Sequence, residues 1–563
     1  YKNRGEKQKR YKLLEIIERQ IVTVMEGGPG SGKSHLIRKT IKILSASDSF
    51  SKHKLVPIYI SYIDLYKIYR SSIEKLLSEK IYIDLKKKLP DEASIVLFID
   101  GFDELILDYR DIYNEIKSLI DQSVQIQKLR VVIATRPLNI VDYKEIIPNK
   151  LPAYEISALS MNQVLAIFKN ICKNVSISSR LIEDIKKSDL FKQMPKNPIS
   201  AILLAQIIND NAQDLPSNLT DVYAKYSELM LGRWDVQKGL LSNQEFEASV
   251  GIIIRIAKFF IDNDLTYIGE AEARRFFYEY FEKRNINIKP DDLFDRVTSR
   301  SGIIQLDCNY NRVYFKHRSF AEFFYAKYLH FYEQTNFIDN RIYSIYWRTI
   351  YFFFLGLKKD CESLLNSIES IEPSNSDERF WRFTNMGDYL LAAYATPYET
   401  IEKLFVKMLK EVQHLYYDIC ENKVGSPLND MPEVFVLEFF QIITCSCYAY
   451  RFFEKAMDFA VLDIGSDASL NDEAKAYSLF FLSGLYRALG KENPFDGLLE
   501  KFEKSLPLVL KLGIFYESKL VAHHSSLLKK NVKKVKQQIK QSPEMSQYAR
   551  RLHELPISRK KKT

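Results

Sequence analysis

The chain has 563 residues, too many for one hydrophobic core, so three to five structural units are expected. Hydrophobic residues (46%) and charged residues (27%) stand in the proportions of ordinary soluble globular protein. The six cysteines (Cys172, Cys308, Cys361, Cys420, Cys445, Cys447) are scattered with no CxxC or His-rich partner, which argues against a zinc site or disulfide framework and for reduced thiols in the cytoplasm.

No secretory signal is visible. The longest apolar stretch, Ile345 to Leu357, is too short to span a bilayer, carries Arg348 and reads as a buried helix. The chain begins at Tyr1 with a basic lead (Lys2, Arg4, Lys7, Lys9, Arg10, Lys12), so further upstream sequence is expected. The net charge of +9 is uneven: residues 529–563 hold twelve Lys/Arg against two Glu, leaving everything before them near neutral. Such a tail can touch nucleic acid or anionic lipid, or be no more than a solvated helix face.

In chain order, the first 156 residues alternate helical stretches with apolar runs at Ile21 to Met25, Leu55 to Ile60, Ile95 to Ile99, Leu129 to Ala134 and Ala153 to Ile156. The runs are rich in Val and Ile and apolar on both faces, as strands buried in a parallel sheet are. Their spacing leaves room for a crossover helix each time, which predicts a doubly wound α/β domain over 1–156. Ser160-Met-Asn-Gln163 reads as a capping box. Helical patterns continue through Leu204, broken at Pro195 and Pro198, and predict a helical domain over 157–214. Leu215-Pro216 reads as a linker into a helix around Tyr223 to Leu231. Residues 250–330 mix helices with one strand-like pair, Gly302 to Leu306 and Arg312 to Phe315, which suits a winged helix over 215–330. From 331 to 563 aromatics recur at helical spacing without a clean repeat, predicting an irregular helical array.

Directly after the first apolar run stands Glu26-Gly-Gly-Pro-Gly-Ser-Gly-Lys-Ser-His35, which contains GxxxxGKS in full. The loop residues Gly27, Gly28, Pro29, Gly30, Ser31 and Gly32 let backbone amides converge on phosphate oxygens. A helix opening at Lys33, Ser34 and His35 adds its N-terminal amides. Lys33 reaches the β- and γ-phosphates as a compact charge, and the Ser34 hydroxyl ligates Mg²⁺. Farther on, Val96-Leu-Phe-Ile-Asp100 is an apolar strand ending in a carboxylate that can hold Mg²⁺ through water. Asp103 and Glu104 follow at the mouth of the site. Either can polarise an attacking water; Glu104 is the first candidate and Asp103 the second carboxylate. The next strand runs into Thr135-Arg136-Pro137, where Arg136 can reach a γ-phosphate.

Together these residues resemble the NACHT family of STAND signalling ATPases. Phe98-Ile-Asp-Gly-Phe-Asp-Glu-Leu105 reproduces the family's carboxylate strand, and Ala134-Thr-Arg-Pro137 is similar to its sensor segment. Lys196-Asn-Pro198-Ile-Ser-Ala-Ile-Leu-Leu204 resembles the helical-domain motif whose proline packs against the base. Leu215-Pro-Ser-Asn-Leu-Thr-Asp-Val-Tyr223 resembles the start of the family's winged helix. Phe315-Lys-His317-Arg-Ser319-Phe-Ala-Glu322-Phe-Phe-Tyr-Ala326 resembles the segment whose histidine contacts the ADP β-phosphate at rest. The resemblance covers about residues 11–330.

The resemblance implies a signal-transducing ATPase with ATP or ADP and Mg²⁺ as cofactors. At rest ADP bridges Lys33 and Ser34, Pro198 and His317. An activating ligand, such as a foreign protein, is recognised by the C-terminal region; ADP exchanges for ATP, copies of the chain assemble into a homo-oligomer, and slow hydrolysis by Glu104 resets them. Bacterial members of this compact kind commonly act in antiphage defence. An effector normally precedes the phosphate loop, where this chain has 26 residues, so an effector domain or partner outside this sequence is expected. Two rivals stand beside this reading: an AAA-like motor or loader acting on nucleic acid through the basic tail, and a transcription regulator whose winged helix reads DNA.

Overall fold

The computed structural model describes residues 11–27, 31–79, 92–102, 109–135, 154–157, 218–231, 243–282, 288–300, 302–308, 310–333, 338–344, 346–421, 431–491, 494–502, 505–521 and 523–541, with isolated positions between them. The chain divides into two compact units, Arg10–Glu333 and Gln334–Thr563 with Tyr1–Lys9. The capping box opened by Ser160, most of the helical domain over 157–214 and the Leu215-Pro216 linker lie outside the described residues.

In the first unit the order is α1 (Leu13–Arg19), β1 (Val22–Glu26), α2 (Lys33–Leu44), α3 (Ser47–His53), β2 (Leu55–Ser61), α4 (Tyr62–Tyr69), α5 (Ile73–Ser78), β3 (Ser94–Asp100), α6 (Tyr109–Gln125), β4 (Leu129–Thr135) and β5 (Tyr154–Glu155). The five strands form one parallel sheet in the order β2-β3-β4-β1-β5. They coincide with the five apolar runs, shifted by no more than one residue at either end.

The strand period of two divides the core. Ile95, Leu97 and Ile99 of β3, with Val131 and Ile133 of β4, share a core with Tyr62 and Leu65 of α4, Ile73 of α5 and Leu119 of α6. Val96 and Phe98, with Val132 and Ala134, share the opposite core with Ile17 of α1 and Ile37 and Leu44 of α2. Helices therefore cover both faces, as a doubly wound sheet requires. Strand β2 departs from the expected burial on both faces: Tyr59 is 47% exposed. The strand is at the edge of the sheet, where Pro57 does no harm because only one neighbour needs ladder hydrogen bonds.

The same unit continues with α7 (Leu219–Met230), α8 (Asn243–Asp262), β6 (Ile268–Gly269), α9 (Glu270–Glu282), α10 (Pro290–Arg300), β7 (Ile304–Asp307), β8 (Arg312–Phe315) and α11 (Arg318–Tyr328). Helix α7 opens earlier than Tyr223 because Asn218 caps it, its side chain accepting from the Asp221 N–H at 2.8 Å. Strands β6, β8 and β7 form an antiparallel sheet in that order. The strand expected from Gly302 begins only at Ile304. Gly302 has φ +62°, a left-handed conformation that an extended strand does not contain.

The regular elements among the described residues of the second unit are helices, as the aromatic spacing predicts. They form α12 (Arg348–Lys358), α13 (Glu362–Ser370), α14 (Ser376–Ala392), α15 (Tyr398–Cys420), α16 (Glu433–Tyr448), α17 (Glu454–Ser466), α18 (Asp472–Ala488), α19 (Asp496–Phe502), α20 (Leu508–Ser518) and α21 (Ser526–Gln541). Helices α14 and α16 cross closely at Gly387, where a Cβ would stand 2.5 Å from the Cys447 carbonyl oxygen. Buried charge is paired across helices: Arg382 with Glu411 at 2.8 Å and Arg487 with Glu517 at 2.6 Å. No single helix among the described residues is long and apolar enough to cross a membrane.

Candidate nucleotide-binding site

Parallel strands deliver β1, β3 and β4 to one edge of the sheet with their carboxyl ends together, the edge where open α/β sheets bind ligands. Strand β1 ends at Glu26, and the Gly27 N–H donates to the Thr135 carbonyl at the tip of β4, 3.1 Å away. The two described ends of the loop, Gly27 and Ser31, lie close together. A methyl group on Gly27 would run into Ser31 Oγ, and Gly32 holds φ +94°. The left-handed conformation at Gly32 costs other residues about 1–2 kcal/mol.

Helix α2 starts from Gly32 without a side-chain cap. Its first amides have no intrahelical acceptor and make the positive end of the helix a ready anion site. The Lys33 ammonium folds back over the loop, donating to the Gly27 carbonyl at 2.5 Å. Ser31 Oγ is buried and has no hydrogen-bond partner among the described residues. A glycine cradle, an uncapped helix start, a folded-back lysine and an orphaned hydroxyl fit the polyphosphate of a nucleotide.

Asp100 completes the arrangement from two strands away. The register sets Ile99 opposite Ile133 and Met25 opposite Ala134, so Asp100 and Met25 are level across the intervening β4, about 10 Å apart at strand spacing. The first turn of α2 bridges that gap. Burial pushes the Asp100 carboxyl above its ordinary range, and the Ser34 hydroxyl, the Lys33 ammonium and the Tyr59 hydroxyl (3.3 Å from Oδ2) act against that rise. Ser34 and Asp100 are hard oxygen donors within hydrogen-bonding reach of each other, and that donor set suits Mg²⁺.

Because the carboxyl is harder to ionise in the folded chain, its negative charge destabilises the empty fold at neutral pH. That cost disappears as pH falls through the raised value. Asp100→Asn is therefore expected to raise Tm of the nucleotide-free protein while weakening Mg²⁺-dependent nucleotide binding at least about tenfold. Differential scanning fluorimetry and a Mg²⁺ titration check the two arms. A lowered Tm with unchanged Mg²⁺ dependence would remove Asp100 from the site.

Among the other candidates, His35 is exposed on α2. Gly28, Pro29, Gly30, Asp103, Glu104 and Arg136 lie outside the described residues, although Thr135, next to Arg136, touches the phosphate loop. The structure brings Pro198 to the same loop: a methyl on Gly32 would meet Pro198 Cγ at 3.6 Å. His317 caps the start of α11. Its Nδ1 accepts from the Ser319 N–H at 3.1 Å and lies 2.5 Å from Ser319 Oγ, which meets the Tyr223 hydroxyl at 2.7 Å. A backbone N–H can only donate, so Nδ1 is an acceptor, and the neutral ring carries its proton on Nε2.

Three participants escaped the sequence reading. Tyr59 reaches Asp100 from the neighbouring strand, Thr135 anchors Gly27 through its carbonyl, and Tyr223 supports the His317 cap. Each is identified by which strands or helices are neighbours, and no motif encodes that.

Residues 21–174 match the NACHT domain family, and residues 388–561 match NACHT C-terminal Helical domain 1. No curated protein matches the chain. Among solved structures, the Aeropyrum pernix ORC2 protein in ADPNP and ADP complexes is 11% identical over 55% of this chain and 92% of its own, with a TM-score of 0.23. Drosophila ORC bound to DNA is 9% identical over 53% and 86%, with a TM-score of 0.22. At those scores neither likeness carries an argument. The two family matches, with a glycine loop, lysine and strand-end carboxylate assembled on a parallel sheet, place the chain in the NACHT family of P-loop NTPases.

Proposed function

We propose that the chain is a cytoplasmic signal-transducing ATPase whose bound nucleotide acts as a conformational switch. ADP holds the resting form, ligand recognition by the C-terminal helical region permits exchange for ATP, and ATP-bound copies assemble. Slow hydrolysis, with Glu104 or Asp103 polarising the water and Arg136 at the γ-phosphate, resets the switch. Defence against foreign proteins is the role that this scheme suits, with the output supplied by an effector domain or partner.

The observation that carries this reading is the seat of Pro198 against Gly32. A switch needs a second segment beside the nucleotide whose contacts can differ with its phosphates, and Pro198, packed near Gly32, is positioned to serve as one. His317 at the head of α11 is consistent with the same reading, because a ring that accepts at Nδ1 carries its proton on Nε2 and can donate to an anion. The order α8, β6, α9, α10, β7, β8 is that of a winged helix and favours that assignment. A bistable element biased by differential contacts is what such a scheme requires.

His317→Ala is expected to speed ADP release roughly ten- to a hundredfold, the worth of one hydrogen bond to a charged group. It should also produce larger particles in ATP without ligand. Stopped-flow displacement of a fluorescent ADP and mass photometry read the two effects; an unchanged ADP off-rate would end this role for His317.

A further inference from the structure

Helix α21 carries the strongest charge asymmetry among the described elements. Its sequence, Ser-Leu-Leu-Lys-Lys-Asn-Val-Lys-Lys-Val-Lys-Gln-Gln-Ile-Lys-Gln, contains six lysines and no acid. Leu528, Asn531 and Val535 are buried, and Val535 and Ile539 share a cluster with Val434 of α16 and Leu512 of α20. All six lysines are exposed.

Lys529, Lys533, Lys536 and Lys540 follow one another at steps of four, three and four, so they form a single stripe along the helix. None of these four pairs with an acid among the described residues. At 1.5 Å per residue the stripe is about 16 Å long. Four uncompensated positive charges lined up on a helix fixed by its opposite face are of little use to the fold, which would be as stable with glutamines there.

We propose that this lysine stripe is a docking surface for the phosphate backbone of duplex DNA. Three observations select that occupant. The apolar face of α21 is already buried in protein, so the helix has nothing to insert into a lipid interface, which is how amphipathic helices hold membranes. The exposed face holds Lys, Gln and Ser and no aromatic ring, whereas sequence-tolerant binding of single strands relies on stacking. Lysines are compact point charges without the fork that reads bases, and the stripe is comparable with the roughly 12 Å major groove, so its ends meet phosphates on both rims. The result is binding without sequence preference, driven by counterion release. The surface belongs to the second unit, and its test does not depend on the reading of the nucleotide site.

The experiment uses the full chain and a fluorescein-labelled 20-base-pair DNA duplex of mixed sequence, followed by anisotropy from low to moderate salt. Four phosphate contacts predict a slope of log K against log salt near −3.6 and a loss of about a hundredfold between 50 and 200 mM. The quadruple variant Lys529→Gln, Lys533→Gln, Lys536→Gln, Lys540→Gln should bind at least about tenfold more weakly at 50 mM, with the slope reduced by about three to four. The matching Lys→Arg quadruple should bind like the parent, and ATP turnover should be unchanged in both. A duplex affinity that ignores salt, or survives the four glutamines, would overturn the proposal. So would preference for a single-stranded oligonucleotide, duplex RNA or phosphatidylserine vesicles over duplex DNA. Even where a variant is poorly folded, a wild-type duplex affinity that ignores salt overturns the proposal.

Discussion

Lys33→Ala is expected to abolish measurable nucleotide binding, with affinity for ATP and ADP reduced at least about a hundredfold. The ammonium is half-buried, folded over the phosphate loop and hydrogen-bonded to the Gly27 carbonyl. On the proposed reading, replacing it with a methyl group removes the compact charge offered to the β- and γ-phosphates, and it also leaves the Gly27 carbonyl without this donor. Truncating one partner of a desolvated charge pair costs about 2–5 kcal/mol, which sets the scale. Lys33→Arg should recover only part of the loss, because a planar fork does not replace a point charge in a loop of this size. Isothermal titration calorimetry reads the result; Kd values within threefold of the parent would refute the assignment of this loop. The fold should survive, since the side chain is no part of either sheet core.

The second large effect is on stability. Gly387→Ala is expected to destabilise the helical unit by about 2 kcal/mol. Alanine is the better helix former and on its own gains up to about 1 kcal/mol over glycine. Here the new methyl would stand 2.5 Å from the Cys447 carbonyl oxygen and 3.2 Å from its carbon. That obstacle is backbone inside α16 and cannot rotate away, so the upper end of the overpacking cost, about 3 kcal/mol, outweighs the propensity gain. Gly497, in α19, has open space where its Cβ would go. Gly497→Ala should therefore shift Tm the opposite way. Thermal melts of the two variants side by side make the comparison, and a stabilised Gly387→Ala would show that α14 and α16 are not in such close contact.

Much of the first unit was legible in the sequence because buried parallel strands are apolar on both faces. Ile95 to Ile99 has one strongly predicted structure, and the carboxylate after it has one position. Which strands are neighbours was not legible. Nothing in Ile58-Tyr59-Ile60 says that β2 lies beside β3, yet that adjacency brings Tyr59 to Asp100. Short elements were also silent: Ile268–Gly269 is too brief to show a period. The role of His317 as a helix cap was hidden for another reason, since Ser, Thr, Asp and Asn are the residues ordinarily read as caps. In the second unit, aromatic spacing predicts helices but not which helix meets which. The contact at Gly387 depends on two helices some sixty residues apart in sequence, and a lone glycine inside a helical pattern reads as a mild blemish.

The double-sided burial of β3 has a consequence for how this site can change. A carboxylate at the tip of a strand clamped between two cores and two neighbouring strands is preorganised: its aim is settled on folding, and nucleotide binding need not spend free energy to arrange it. The same clamping makes it a poor place for adjustment, because any residue that would tilt the strand disturbs packing on both sides at once. Differences in exchange rate or turnover among related chains should therefore trace to the loops around the sheet edge, while the acid at position 100 stays where the fold sets it.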